Sequence, residues 1–326
     1  MEFITPLNVL LSTAGVVLNL ANITVFLRQD WRTNNVTLTL LSLSITDFLI
    51  VLTCLIFDLL SIFQTALPTS TVDFAAVQYY IYYIVVWSIA MFSDISSLTT
   101  VLVSLERCLC IIMPLHVQSL FSVKRTLTVL PCLWMFILFT YSVPFSTVAL
   151  NWTYNPSFNN SRLTVSLSKE RMTVETIHNI SNTILLQTFY EMAVAINTVV
   201  MVIGLKRSSN FQRKSTNISS GHHSNLASSP KYKRLVTVVC CISSIFIACN
   251  TPTVVFIYCK HFVPGFSYAG DYKVYYVAGM YVIFLLYSVN ASVNFFVYFS
   301  LNRRFRDTLV EIVRGPVCRL GSTKEG

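Results

Sequence analysis

Seven separate apolar runs, each about as long as a membrane-spanning helix, restrict the fold of this chain more than any other feature. A helix needs about 20 apolar residues to cross the hydrocarbon core of a bilayer. Because helices satisfy their backbone hydrogen bonds internally, a bundle of helices is the expected form in lipid. The composition agrees, since 54% of the residues are hydrophobic and only 11% are charged, unlike an ordinary soluble domain. The runs cover residues 7–27, 36–63, 76–104, 127–150, 183–205, 235–259 and 274–301.

We therefore predict an all-α membrane protein, a seven-transmembrane-helix bundle that occupies residues 7–301. The next segment, residues 302–314, places Phe305, Leu309 and Ile312 on one face and arginines around them. This pattern is typical of a helix that lies in the membrane surface. We expect it to form a short amphipathic eighth helix.

Lysine and arginine fall mainly on one side of the seven runs, and this asymmetry sets the predicted orientation. Of the 23 basic residues, 18 lie in connections that follow odd-numbered helices or in the C-terminal tail. Cytoplasmic connections carry such an excess, so we predict a multi-pass plasma-membrane protein with its N-terminus outside and its C-terminus in the cytoplasm. The net charge of +9 then favours anionic inner-leaflet lipid and acidic partner surfaces rather than nucleic acid.

Two kinds of covalent modification are predicted from short motifs. Glycosylation motifs on the predicted outer side, between the fourth and fifth helices, begin at Asn151, Asn159 and Asn179. On the inner side, residues 315–326 form a short cytoplasmic tail in which Cys318 is a candidate for palmitoylation.

A charged pair, Glu106 and Arg107, ends the third apolar helix and is followed by Pro114 and Leu115. An arginine in a membrane helix is costly unless an acid or a polar crevice accompanies it, and Glu106 is adjacent. The arrangement resembles the Asp/Glu-Arg-Tyr…Pro-Leu signature of rhodopsin-like G-protein-coupled receptors. That resemblance implies that Arg107 contacts a G protein. Three basic residues begin the sixth helix: Lys231, Lys233 and Arg234. Because basic side chains cannot form an ion pair with Arg107, we expect no ionic lock between that helix and the arginine.

Motifs similar to those of the same receptors occur in the sixth and seventh helices. Phe246 to Pro252 resembles Phe-x-x-Cys-Trp-x-Pro, with Asn250 in place of tryptophan, and the proline should kink the helix. Asn294 to Tyr298 resembles Asn-Pro-x-x-Tyr, with phenylalanine in place of proline. The resemblance implies that the sixth helix pivots at this kink on activation and that Tyr298 stabilises the active state.

A polar core is predicted at the middle of the bundle. An acid near the membrane midplane is a functional hypothesis in itself, and the second helix carries one in Asp47. The resemblance would place Asp47, Ser96 and Asn290 around an allosteric sodium ion, with Asn19 and Asn294 nearby. A hydrogen-bonded cluster, or a protonated Asp47 without an ion, is the alternative. No other cofactor is expected.

The ligand is constrained mainly by exclusion. Ser288 stands where opsins carry the retinal lysine, and Ile89 stands where amine receptors carry an aspartate. Asp58 shares the inward face of the second helix with Asp47 and would meet either a basic ligand group or a basic residue of an outer loop. Asp94 would be a buried neutral acid or a polar contact to ligand. The candidate ligand-binding residues are Asp58, Ile89, Ser93, Asp94 and Asn250.

One feature of rhodopsin-like receptors is missing. They tie the outer end of the third helix to the second outer connection by a disulfide. The matching helix position here is Tyr82, and residues 152–177 contain no cysteine. We expect no such disulfide, and the fifth helix also lacks the family's proline.

The resemblance covers nearly the whole chain and implies a receptor that transduces an extracellular peptide or small molecule to heterotrimeric G proteins. Arrestin, a receptor kinase and membrane lipid are the further expected partners. Among subfamilies the chain resembles invertebrate neuropeptide receptors of the FMRFamide type, or the molluscan chemosensory receptors related to them. A receptor-like protein that does not signal stays open as an alternative. A multi-pass transporter is disfavoured because no internal repeat is found. No enzyme motif is present.

Overall fold

The computed structural model of the protein describes residues 4–66, 72–113, 121–155, 160–215 and 230–314. Seven helices in these ranges are long and apolar enough to span a membrane, which confirms the predicted bundle. They are α1 (Ile4–Arg28), α2 (Asn35–Ala66), α3 (Val72–Ile112), α4 (Val123–Ser146), α5 (Arg171–His178, Asn179–Leu186 and Gln187–Ser215, continuous), α6 (Pro230–Phe262) and α7 (Lys273–Leu301). A short helix, α8 (Arg303–Arg314), follows α7. We call the end of the bundle that carries Arg107 the inner end and the opposite end the outer end.

Aromatic packing fixes α8 against the inner end of the bundle. Phe305 of α8 is fully buried, and its ring lies 5.4 Å from that of Phe26 in α1 and 5.6 Å from that of Tyr298 in α7. The Phe26 and Tyr298 rings are themselves 5.2 Å apart in an edge-on arrangement. Such pairs stabilise beyond their buried area. The short helix is thus docked through its apolar face.

The fourth helix ends earlier than its apolar run suggested. The run extended to residue 150, but α4 stops at Ser146, and the Thr147 hydroxyl donates to the Pro144 carbonyl at 2.6 Å. The chain then enters strand β1 (Val148–Asn155), which pairs antiparallel with β2 (Asn160–Leu167). A short apolar run cannot tell a strand from a helix. The predicted helix end was wrong, and the hairpin was not predicted.

The fifth helix begins earlier than its apolar run suggested, at Arg171 rather than at residue 183. The first turns of this helix contain many polar residues, so hydropathy alone does not identify them as part of a membrane helix. Some of these polar side chains form hydrogen bonds within the helix. Ser181 donates to the Ile177 carbonyl at 2.9 Å, and Asn182 bonds the His178 ring at 3.1 Å. Residues Asn179–Leu186 form a π-helical segment, a rare geometry that is often found at functional sites.

Candidate functional site

The inner end of α3 holds the charged pair in a buried position. Arg107 bonds its neighbour Glu106, and both residues are at least 95% buried. The Asn35 amide, at the start of α2, donates to Oε1 of the same glutamate at 2.6 Å. In the part of the chain that the structure describes, Glu106 is the only ionic partner of Arg107. The arginine is therefore held locally and not by α6.

Two members of the predicted coupling motif cannot be placed. Pro114 and Leu115 lie outside the described residues. Asn35, by contrast, was not predicted from the sequence as a functional residue. It matched only a glycosylation motif, and nothing in the sequence near Asn35 points to a partner 71 positions away.

A cavity of about 830 Å³ opens between the inner ends of α1, α2, α6, α7 and α8. That volume is within the usual range of ligand pockets, about 300–1,000 Å³. Its floor is apolar and its rim includes charged side chains, among them Arg234, Arg304 and Glu311. The inner end of α6 therefore borders open space rather than a filled core.

The polar core forms around Asp47, although with a different set of partners from the predicted one. Ser96 donates to one carboxylate oxygen at 2.8 Å, and the Asn294 amide donates to the other at 2.8 Å. Asn19 instead bonds the Ala291 carbonyl at 3.0 Å and so links α1 to α7. Asn290 is only half-buried and its side chain makes no hydrogen bond within the described ranges. The structure does not bring Asn290 to the carboxylate.

The side-chain oxygens of Asp47, Ser96 and Asn294 are of the kinds that bind hard cations. The Oδ1 atom of Asn294 is buried without a hydrogen-bond donor, next to the Asp47 carboxylate. Carboxylate, amide and hydroxyl oxygens are the ligands that such cations prefer. Asp47, Ser96 and Asn294 are the residues that would hold a sodium ion here.

Asp58 occupies the outer half of α2 and forms no ion pair with a described residue. It is 99% buried, and neither carboxylate oxygen has a hydrogen-bond partner in the described structure. A salt bridge to a basic residue of the outer loops, one of its two predicted roles, is not formed there. A buried carboxylate without a partner is costly, so this position requires an explanation.

Asp94 is buried in a different environment, between α3, α4 and α5. Its Oδ2 atom accepts a hydrogen bond from Tyr141 at 2.7 Å. The Tyr141 ring lies 4.5 Å from that of His178, which in turn lies 5.1 Å from Trp87. His178 is itself buried in α5. Asp94 therefore has a well-formed hydrogen bond, whereas among the described residues Asp58 has only the nearby side chain of Asn8.

The polar substitution in α6 is matched by a polar residue in α5. Gln187 donates to Asn250 at 3.2 Å, and the Asn250 amide donates to the Phe246 carbonyl at 3.0 Å. Pro252 lies within α6 two residues further on. Gln187 was not singled out from the sequence, because a lone glutamine in an apolar run carries no motif. This bond joins α5 to α6 two residues before Pro252.

The two remaining ligand candidates face the interior of the bundle. Ile89 is fully buried in an apolar cluster with Phe57 and Phe284, and Ser93 is buried beside Tyr287.

A model of the serpentine type 7TM GPCR chemoreceptor Srw family matches residues 6–315 of the chain. The protein belongs to this family. The match takes in all seven spanning helices and α8, so the protein is a multi-pass membrane receptor of a chemoreceptor family and not a member of an enzyme family. No curated protein matches the chain. The narrower likeness to FMRFamide-type receptors stays a prediction.

In this Srw receptor a non-covalent contact occupies the place of the missing disulfide. The eight cysteines in the described ranges carry free thiols. Arg171, at the start of α5, donates to Glu175 at 2.6 Å and to the Tyr79 hydroxyl at 3.2 Å. Its guanidinium also lies 5.0 Å from the ring centre of Tyr83. We call these four residues the outer clasp, because they join the outer ends of α3 and α5.

The predicted modification sites of the receptor fall in three settings. Asn151 is exposed on β1, where its amide donates to Ser166 at 2.6 Å. Asn179 is half-buried in the π-helical segment rather than in a loop. Asn159 and Cys318 lie outside the described residues, as does the tail, 315–326.

Proposed function

We propose that this Srw-family protein carries the signal of an extracellular chemical cue to a heterotrimeric G protein. The observation that carries the proposal is the setting of Arg107 at the inner end of α3. The arginine is buried there, and Glu106 is its one ionic partner among the described residues. A cavity beside the inner end of α6 gives that helix room to move. The excess of basic residues on this side supports a cytoplasmic location.

The proposed mechanism is a shift between two populations of the same bundle. A ligand bound among the outer halves of α2, α3, α5 and α6 would favour the state in which the inner crevice is open. The bond between Gln187 and Asn250 connects that outer half to the part of α6 that contains Pro252. A pivot of α6 there would free Arg107 to contact the G protein, and Tyr298 would stabilise the open state.

We also propose that sodium modulates this equilibrium at Asp47, Ser96 and Asn294. The orphan amide oxygen of Asn294 supports it. An ion there would add positive charge beside the Asp47 carboxylate. Replacing sodium chloride with choline chloride should raise ligand-independent signalling in the wild type but not in Asp47→Asn.

The proposal extends to the class of ligand and to the partners on the cytoplasmic side. We assign the receptor to the divergent chemosensory side of the rhodopsin-like group, with a peptide or small molecule as ligand. Arrestin and a receptor kinase would act on the same cytoplasmic face as the G protein, and the basic rim would meet anionic lipid.

A receptor-like protein that does not signal is the second candidate, and one observation favours it. Asn250 and Phe295 replace the tryptophan and proline that transmit activation in the receptors this chain resembles. In that case no ligand would produce G-protein dissociation, whatever residue stood at position 107.

Arginine substitution tests the proposal in cells that carry a G-protein dissociation sensor. A library of odorants and peptides is first screened for compounds that activate the wild type. We expect Arg107→Ala to lose most of that response at equal surface expression. Arg28→Ala is the matched control, because Arg28 lies at the inner end of α1 and makes no ion pair in the described structure. A full response from Arg107→Ala would refute coupling through this arginine.

A further inference from the structure

Three buried oxygen atoms on α1 and α2 lack hydrogen-bond donors in the described structure. They are both carboxylate oxygens of Asp58 and the amide oxygen of Asn8. Both residues are 99% buried, and the Asn8 side chain interacts with the carboxylate without forming a hydrogen bond of good geometry. Its amide nitrogen is turned to the Tyr281 carbonyl at 3.4 Å. Native proteins rarely leave buried polar atoms unpaired, so such a group requires a reason.

The missing partner must supply donors and positive charge. A proton on the Asp58 carboxyl, donated to the Asn8 amide oxygen, would still leave the other carboxyl oxygen without a donor. A primary ammonium group has three N–H donors and no acceptor, which matches the number of unpaired oxygens. No lysine or arginine in the described ranges reaches this carboxylate. No described lysine or arginine therefore supplies the donor group.

The surroundings suit the organic part of such a cation. Tyr82 of α3 lies near enough to Asp58 to interact electrostatically. Its ring is 4.8 Å from that of Phe57, which also packs against Phe284 at 4.6 Å and Tyr281 at 6.3 Å. Aromatic faces attract cations and pack against hydrocarbon. The carboxylate thus lies beside an aromatic group formed by α2, α3 and α7.

We infer that Asp58 and Asn8 form a subsite for an organic cation with a primary ammonium group, the charged end of the receptor's ligand. The inference rests on the proposed function, since it takes the outer half of the bundle as the ligand side. Asp94, the other buried acid of that half, already accepts the Tyr141 hydroxyl and needs no such ligand.

Thermal unfolding of the purified full-length receptor tests the subsite without any G protein, so it can fail separately from the signalling proposal. The probes are 2-phenylethylammonium chloride and hexylammonium chloride. The controls are 2-phenylethanol, 1-hexanol and sodium chloride at equal concentration. A ligand that binds only the folded state raises the unfolding midpoint. We expect the ammonium salts to raise it by about 5 °C at a hundredfold excess over the dissociation constant.

Three variants distinguish the outcomes. Asp58→Asn should abolish the ammonium shift and, without any probe, should unfold at the same or a higher temperature than the wild type. Asn8→Leu should weaken the shift, and Asp307→Asn, which changes an exposed acid of α8 at the inner end, should keep it. The inference is overturned if the alcohols act as well as the ammonium salts, if neither salt acts, or if Asp58→Asn keeps the shift. A lower midpoint for probe-free Asp58→Asn would make Asp58 structural, and an equal shift with sodium chloride would make the site one for inorganic cations.

Discussion

Asp47 shows how an apolar bundle accommodates one carboxylate near its centre. Each of its oxygens accepts one bond, from Ser96 on α3 and from Asn294 on α7. Three helices are thereby joined at one buried point. Hydrogen bonds to charged groups are worth more than neutral ones, roughly 1.5–3 kcal/mol, so the geometry of this point should govern both stability and activation.

The two asparagines of α7 provide a matched test of that geometry. Asn294→Ala removes a donor from the buried carboxylate and should destabilise the receptor by about 1–3 kcal/mol. Asn290→Ala removes a half-buried amide with no bond in the described ranges and should change stability by less than about 0.5 kcal/mol. Thermal unfolding in the same detergent compares them. Equal losses in the two variants would contradict the assignment of Asn294 as the partner of Asp47.

Asn35 gives a second residue-scale prediction, this time for signalling. The Asn35 amide donates to the Glu106 carboxylate at 2.6 Å, and Glu106 in turn forms the ion pair with Arg107. The Asn35 side chain therefore restrains Arg107 through Glu106. Asn35→Ala should raise ligand-independent G-protein dissociation several-fold, because the bond it removes favours the resting state. Thr33→Ala is the control, since Thr33 lies in the connection just before α2 and its hydroxyl donates to the Asp30 carbonyl at 3.2 Å. Unchanged basal signalling in Asn35→Ala would show that this bond does not restrain Arg107.

Spacing along one helix predicts which residues share a face but not which of them meets a partner helix. Asn290 and Asn294 are one turn apart and share a face of α7, yet only Asn294 reaches Asp47. The choice depends on the rotation and axial position of α7 against α2, which single-helix periodicity does not contain. Asp47 and Arg107 were predicted because charge in an apolar run is conspicuous in itself. Gln187 and Asn35 were missed because their importance lies in distant partners.

At the scale of elements, the outer clasp joins α3 to α5 at their outer ends, where rhodopsin-like receptors have a disulfide. It combines an ion pair one helical turn apart, a hydrogen bond and a cation–aromatic contact around Arg171. A partly exposed ion pair contributes about 0.3–0.5 kcal/mol and the aromatic contact about 0.5–1 kcal/mol. The join between α3 and α5 is therefore weaker than a covalent one and depends on salt.

Substitution of Arg171 should reveal this weakness. Arg171→Ala should lower the unfolding midpoint by roughly 2–4 °C, as expected for a loss of about 1 kcal/mol. The difference from wild type should shrink in 1 M sodium chloride, where exposed charges are screened within about 3 Å. Lys169→Ala, at an exposed neighbouring position, should have no effect. A loss for Arg171→Ala that is independent of salt would indicate an apolar packing role instead.

Element boundaries were predictable only where hydropathy and secondary structure coincide. The runs of α1, α2, α6 and α7 stay apolar for most of their lengths, and their helices were located correctly. At the outer ends of α4 and α5, hydropathy does not match secondary structure. Residues 148–150 are apolar but form a strand, and residues 171–182 include many polar side chains but form a helix. Tertiary contacts of the hairpin and the clasp decide both boundaries.

For the whole molecule, orientation decides which end of the bundle meets ligand and which meets a G protein. The prediction rests on 18 of 23 basic residues lying on one side, because cytoplasmic connections carry the excess of lysine and arginine. Glycosylation motifs on both sides of the membrane can report it independently, because the transferring enzyme acts only on the outer, lumenal face. Asn151 precedes Trp-Thr in the outer hairpin, and Asn217 precedes Ile-Ser in the connection between α5 and α6.

Glycosidase treatment followed by gel mobility measures the result for each motif. The wild type should lose mass on treatment, and Asn151→Gln should remove a glycan because Asn151 is exposed on β1. Asn217→Gln should leave the glycan pattern unchanged, since its motif would face the cytoplasm. Asn179→Gln should also change nothing, because a half-buried helical asparagine is not open to the transferase. A glycan at Asn217 would place Arg107 on the outer side of the membrane, and no G protein could then reach it.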